Sequence, residues 1–177
     1  VQVFCIWGIL AVSLNLLVGY TGLLSVAHVG FFGIGAYSVA VLTTDPAYQS
    51  LSMETIPILA LPFFVALPIG MLLSGLFALV VGSVLSRFRD DIFVLVSFSV
   101  AIIAHNVFLN WRGVTRGPFG IHEIARPDFG FWVADGRLGF AIVSLLFLAL
   151  VIFISWLIVS SSFGRVLMAI REDEDAI

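Results

Sequence analysis

Long apolar runs alternate with short polar ones along this chain, and the runs are too uniform to read as one-sided surface helices. A helix that crosses a bilayer needs about 20 apolar residues, because each residue rises about 1.5 Å and the hydrocarbon core is about 30 Å thick. Residues 1–20 meet this requirement without a charge. So do residues 138–161, and residues 92–111, whose strongly polar members His105 and Asn106 fall near the end of the run. The uncharged stretch 56–86 is too long for one straight span. Pro57, Pro62 and Pro68 crowd its first half, and each removes an amide donor. A span is therefore expected from about Leu61 to about Leu85, with the earlier part interfacial or kinked.

Residues 21–44 depart from this pattern, with Gly22, Gly30, Gly33 and Gly35 around His28. Within lipid every backbone polar group must find a partner inside the protein, so a glycine-broken segment persists only where it is buried in protein or lines a water-filled cavity. Two readings stay open. The segment is a discontinuous or re-entrant element at the centre of the bundle, where transporters place substrate sites; or it is an ordinary helix whose glycines admit a close neighbour. Gly70 with Ser74, and Ala78 with Gly82, are four apart and read as helix-packing faces.

The polar connections differ in kind. Residues 45–55 carry Asp45 and Glu54 and no cation, residues 87–91 read Arg-Phe-Arg-Asp-Asp, and residues 112–137 hold four arginines and three acids. Residues 163–177 carry Arg165 and Arg171 and end in the acids Glu172, Asp173, Glu174 and Asp175. The arginine bias of short loops normally sets orientation, but here the two sides tie at four each: Arg87, Arg89, Arg165 and Arg171 against Arg112, Arg116, Arg126 and Arg137. In the tail, Ser162 is placed to cap a short helix beginning near Gly164, and Val166, Leu167 and Ile170 fall on one apolar stripe. Helices that lie on lipid favour basic polar faces. The acidic end of this one favours docking on a protein, with a solvated charge run as the plainer alternative.

Composition supports the membrane reading. Of 177 residues, 61% are hydrophobic and 11% charged, where soluble domains average about 45–50% and about 25%. All eight cations are arginine, and a net charge of -3 without a basic stripe argues against a nucleic-acid partner. Cys5 is alone, which excludes a disulfide framework and reads as packing. Val1 is not an initiator methionine and no charged region precedes the first apolar run, so the start reads as a point inside a longer protein, without a signal peptide.

Catalytic chemistry finds little support. His122-Glu123-Ile124-Ala125-Arg126 opens like the zinc motif H-E-x-x-H but has arginine at the second ligand position. The spans hold no aspartate or glutamate for proton transfer or intramembrane proteolysis. No phosphate-binding loop occurs, so ATP hydrolysis would belong to another chain, and no cofactor is expected. His28 is the most suggestive polar residue at membrane depth, either beside a transport path or bonded to a neighbouring carbonyl for structure alone. Asn15, late in the first run, is placed to tie that run to the 21–44 segment, and Trp111 suits an aromatic belt.

Four stretches, in order, carry a resemblance. They are Leu14-Asn15-Leu16-Leu17-Val18-Gly19-Tyr20-Thr21-Gly22 with Leu24-Ser25-Val26-Ala27-His28; Phe31-Phe32-Gly33-Ile34-Gly35-Ala36-Tyr37; Asn110-Trp111 through Gly117-Pro118-Phe119-Gly120-Ile121; and Phe163-Gly164-Arg165-Val166-Leu167-Met168-Ala169-Ile170-Arg171-Glu172-Asp173-Glu174. Over nearly the whole chain the sequence resembles the LivM-type permeases of ABC importers for branched-chain amino acids. The resemblance implies a subunit that pairs with a second homologous permease, is driven by two cytoplasmic ATPase subunits, and receives substrate from a periplasmic binding protein. It places residues 163–177 as a cytoplasmic coupling loop, with Gly164, Arg165, Ile170, Arg171, Glu172, Asp173 and Glu174 at the ATPase. It also breaks the arginine tie, putting 87–91 in the cytoplasm and 112–137 outside. Asn15, His28, Gly30, Phe31 and Gly33 become candidates for the substrate path.

There are departures: Asp175 stands where the family is usually apolar, Phe119 where it often has asparagine, and the coupling motif normally runs on past Ile177. The expectation is an all-α, polytopic transmembrane helix bundle with one glycine-broken or re-entrant segment, forming part of one permease domain in the inner (plasma) membrane. The spans are 1–20, 21–44 (broken), 61–85, 92–111 and 138–161. Urea or amide import is the neighbouring alternative, and an intramembrane enzyme or a passive channel the more distant one.

Overall fold

The computed structural model describes residues 1–44, 61–88, 90–122, 124, 127 and 136–172. Every regular element among them is helical: α1 (Gln2–Thr21), α2 (His28–Thr43), α3 (Phe63–Leu85), α4 (Asp90–Asn110), the single turn α5 (Arg112–Thr115), a 3-10 turn (Gly117–Phe119), α6 (Gly136–Ser160) and α7 (Ser162–Glu172). Four of these, α1, α3, α4 and α6, are long and apolar enough to cross a membrane. The proposed interfacial or kinked segment before Leu61 lies outside the described residues.

The helices form two compact units, one from Val1–Ser25 with Asp135–Ile177 and the other from Val26–Ala134. In the first unit α1 pairs with α6, and α7 packs against both. Gly8 allows the close approach: a Cβ there would meet Leu148 Cδ1 at 3.2 Å. The Gln2 side-chain amide donates to the Arg137 carbonyl at 3.0 Å, joining the start of α1 to the start of α6.

In the second unit α2 lies mainly against α3, with α4 on another side. The Leu61 amide donates to the Leu42 carbonyl at 2.8 Å, holding the start of α3 beside the end of α2. Pro62 is the N-cap of α3, where its missing amide costs nothing, and Pro68 is inside the helix. Small residues set the α2–α3 distance. A Cβ on Gly70 would lie 2.6 Å from Val39 Cγ2 and 3.3 Å from the Gly35 carbonyl oxygen, and one on Gly35 would touch Ser74 Cβ at 3.6 Å. The Gly70–Ser74 face therefore packs, as read from the sequence. The Ala78–Gly82 pairing does not do so within the described residues: Gly82 is exposed and a Cβ on it meets nothing within 4 Å.

Residues 21–44 combine a break with a helix. Gly22 ends α1 in the left-handed conformation, φ 76°, which glycine adopts without the Cβ clash other residues suffer. The chain then runs non-helically to α2, and the other three glycines sit within that unbroken helix of 16 residues. At 1.5 Å per residue it is about 24 Å long, short of the hydrocarbon thickness.

The tail corrects one expectation. The short helix begins at Ser162, two residues before Gly164, and the capping hydroxyl belongs to Ser161, whose Oγ accepts the Phe163 amide at 3.2 Å. The run Ser160-Ser161-Ser162 offers three chemically equal caps, and the bend falls at the middle one.

Candidate functional site

The break before α2 is held by hydroxyls. Thr21 Oγ1 donates to the Leu17 carbonyl at 2.5 Å and accepts the Leu23 amide at 3.4 Å. Ser97 of α4, fully buried, accepts the Val26 amide at 3.1 Å and donates to the Val94 carbonyl at 2.8 Å. A serine hydroxyl both donates and accepts, so one side chain secures its own helix and satisfies the backbone of the broken segment. A buried amide left without a partner costs about 1–3 kcal/mol.

His28 is the first residue of α2 and half-buried, next to the fully buried Ala27. Gly30 abuts α4, where its Cβ would meet Ala104 Cβ at 3.2 Å, and Gly33 faces the Phe108 ring, whose Cε2 would lie 2.6 Å away. Phe31 turns to α3: its ring packs edge-on against Phe77 with centroids 6.1 Å apart, and its carbonyl accepts the Ser74 hydroxyl at 2.7 Å. Four of the sequence-derived path residues, His28, Gly30, Phe31 and Gly33, thus share the first turns of α2. Asn15 belongs to the other unit. It lines a groove of about 190 Å³ with Leu16, Tyr20 and the α6 residues Ser155, Trp156 and Val159, and its Oδ1 covers Gly19.

A larger cavity, about 630 Å³, lies within the second unit and is almost wholly apolar. Ile34, Tyr37, Ser38, Val41 and Leu42 of α2 form one wall, and Val100, Ile103, Ala104, Val107 and Phe108 of α4, continuing to Trp111, form another. Leu73, Phe77 and Val81 of α3 complete it. Tyr37 stacks on Phe108 with centroids 4.9 Å apart. These residues recur at the three- and four-residue spacing of one helix face. The reading of the sequence missed them because α2, α3 and α4 are apolar all round, which leaves no polar side to reveal the inward face. None of His28, Gly30, Phe31 or Gly33 lines this cavity; Gly30, Phe31 and Gly33 pack the helix that does against its neighbours.

Beyond Trp111 the chain folds back tightly. Thr115 Oγ1, buried, donates towards the Phe108 and Trp111 carbonyls at 2.5 and 2.9 Å. Gly117, at φ +59°, sits so close to the Leu109 carbonyl oxygen that a Cβ would fall 2.6 Å from it. His105 and Asn106 are exposed near the end of α4, and Asn106 Nδ2 donates to the Ile102 carbonyl at 3.0 Å. Among the described residues no group of three or more His, Cys, Asp and Glu comes together.

The coupling candidates lie on α7. Gly164 is buried, Arg165 is exposed, and Ile170, Arg171 and Glu172 occupy the last helical positions. Asp173 and Glu174 lie outside the described residues. Of the apolar stripe, Leu167 is partly covered while Val166 is 46% exposed, and Phe163, on the same stripe, is exposed too.

Four candidate spans, with every regular element among the described residues helical, define a polytopic integral membrane protein. The profile of the family described as "Branched-chain amino acid transport system / permease component" matches residues 1–177, and the chain belongs to that family. The high-affinity branched-chain amino acid transport system permease proteins LivM of Escherichia coli and Salmonella typhimurium are each 29% identical to it over 194 aligned positions. The alignments cover 97% of this chain but only 43% of each relative, so the chain spans less than half their length. No solved structure matches it.

Proposed function

We propose that this chain is part of the transmembrane permease subunit of an ATP-driven importer for branched-chain amino acids. The family match over residues 1–177 carries the reading. The hydroxyl-backed break before α2 and the amphipathic α7 support it, because they supply the two devices such a subunit needs. One is irregular backbone at membrane depth, where a substrate's charged ends find polar groups. The other is a surface helix that a motor protein can grip.

The substrate is a zwitterion with an apolar side chain. His28 and the break before it, with Asn15, lie along the path, and Gly30, Phe31 and Gly33 hold α2 in place beside it. The partners are a second homologous permease, two cytoplasmic ATPases and a periplasmic binding protein. Residues 87–91 and 163–177 face the cytoplasm, and 112–137 face the binding protein. ATP binding closes the ATPases, α7 passes the movement to the spans, and access to the path alternates.

The test is uptake of labelled leucine by vesicles holding the complete transporter and its binding protein. Uptake should require ATP and vanish when the Walker lysine of the partner ATPase is replaced. Uptake that persists without ATP would make the protein a passive channel. Competition by urea or short amides, but not by isoleucine or valine, would move the substrate to the neighbouring class.

A further inference from the structure

Backbone touches backbone where α6 meets α7. α6 ends at Ser160, Ser161 is the only residue between, and α7 starts at Ser162. Ser161 works on both helices: its Oγ donates to the Ile158 carbonyl at 2.6 Å and accepts the Phe163 amide at 3.2 Å. Its own amide donates to the same Ile158 carbonyl at 3.3 Å. Gly164, in the first turn of α7, is buried against the last turn of α6. A Cβ there would lie 2.7 Å from Val159 Cα and 2.6 Å from its carbonyl carbon, and would collide with the carbonyl oxygen. All three atoms are main chain, so no side chain can swing aside to make room. Other helical glycines differ: Gly75 and Gly82 have nothing within 4 Å of a built Cβ.

We infer that Gly164 is a positioning residue for energy coupling, and that with Ser161 it makes the α6–α7 joint a stiff elbow. Contact without intervening side chains leaves little compliance, since closely packed protein transmits strain instead of absorbing it. A push on the outer face of α7, where Phe163 and Val166 are exposed, therefore turns the membrane helix α6 instead of merely tilting a loose tail. The inference rests on α7 being the helix that meets the ATPase. It adds that the joint behind this helix, as well as its outer surface, sets how much transport each ATP yields.

The experiment reconstitutes the complete transporter in vesicles and reads leucine uptake and ATP hydrolysis in the same samples. Gly164→Ala should lower uptake per ATP by about fivefold or more, the lower end of typical coupling effects, while the complex assembles and hydrolysis persists. Gly82→Ala, at an open position, should leave the ratio unchanged. An unchanged ratio in Gly164→Ala, or uptake and hydrolysis falling in step, would overturn the inference. If Gly164→Ala fails to assemble, Ser161→Gly decides by the same criteria, since it removes the shared hydroxyl and loosens the joint without adding bulk. Val166→Asp separates the two layers of the claim. If it weakens ATPase attachment while Gly164→Ala leaves the ratio intact, only the elbow fails. If it changes nothing, the reading of α7 fails and the elbow with it.

Discussion

The helical path is interrupted before α2 and again before α7, and the two interruptions are repaired in opposite ways. Before α2 the freed Val26 amide is met by Ser97, 71 residues away on another helix. Before α7 the freed Phe163 amide is met by Ser161, two residues away. The first repair needs the tertiary fold; the second is local. Burial accounts for the difference. Between the buried Ser25 and Ala27 no water stands in for a missing partner, so the fold must bring one. Around the exposed Ser161 and Phe163 water can serve, and a local cap suffices.

The helices that follow differ accordingly. α2 is apolar on every side and wedged by its glycines against α3 and α4, whereas α7 has an apolar stripe that stays partly exposed. α2 is thus held from several directions, and α7 firmly at one end.

Substitutions in the complete permease can break or sharpen this contrast, with thermal unfolding in detergent as the common measurement. Gly70→Leu should have the largest effect, roughly 1–3 kcal/mol or more, because the added side chain must enter space filled by Val39 and the Gly35 carbonyl. Ser97→Ala should follow at about 1–3 kcal/mol, the cost of a buried amide left without a partner. It should also loosen the start of α2, seen as faster labelling of a cysteine introduced at Leu24, which is exposed. Ser161→Ala should cost about 1 kcal/mol or less, since it removes a cap that water partly replaces. Equal losses from Ser97→Ala and Ser161→Ala would erase the distinction between the two breaks. Gly75→Ala should be neutral or slightly stabilising, by up to about 1 kcal/mol, because nothing occupies the space and alanine is the better helix former.

The sequence revealed the long helices most clearly. Their uncharged runs can be read residue by residue, and α6 (Gly136–Ser160) matches the apolar run that opens at Leu138. It was ambiguous about α2, because glycine penalises a helix in water yet promotes close packing in lipid. The structure places the break at Gly22–Ala27 and leaves Gly30, Gly33 and Gly35 inside a continuous helix. The cavity-lining residues were hidden for want of polar contrast, and Ser97 gave no local signal, since its partner is remote in sequence. Gly164 stood out only as part of a motif; its reason for being glycine, the Val159 main chain against it, is purely three-dimensional.

Cysteine labelling tests the central claim most directly. Cys5 is fully buried, so Ala169→Cys on the exposed side of α7 can be probed with little background from the native thiol. In intact cells carrying the complete transporter, a thiol reagent that cannot cross the membrane should leave this position unmodified, and it should react once the cytoplasmic face is opened. Modification from outside in intact cells would put α7 on the wrong side for any ATPase and contradict the account.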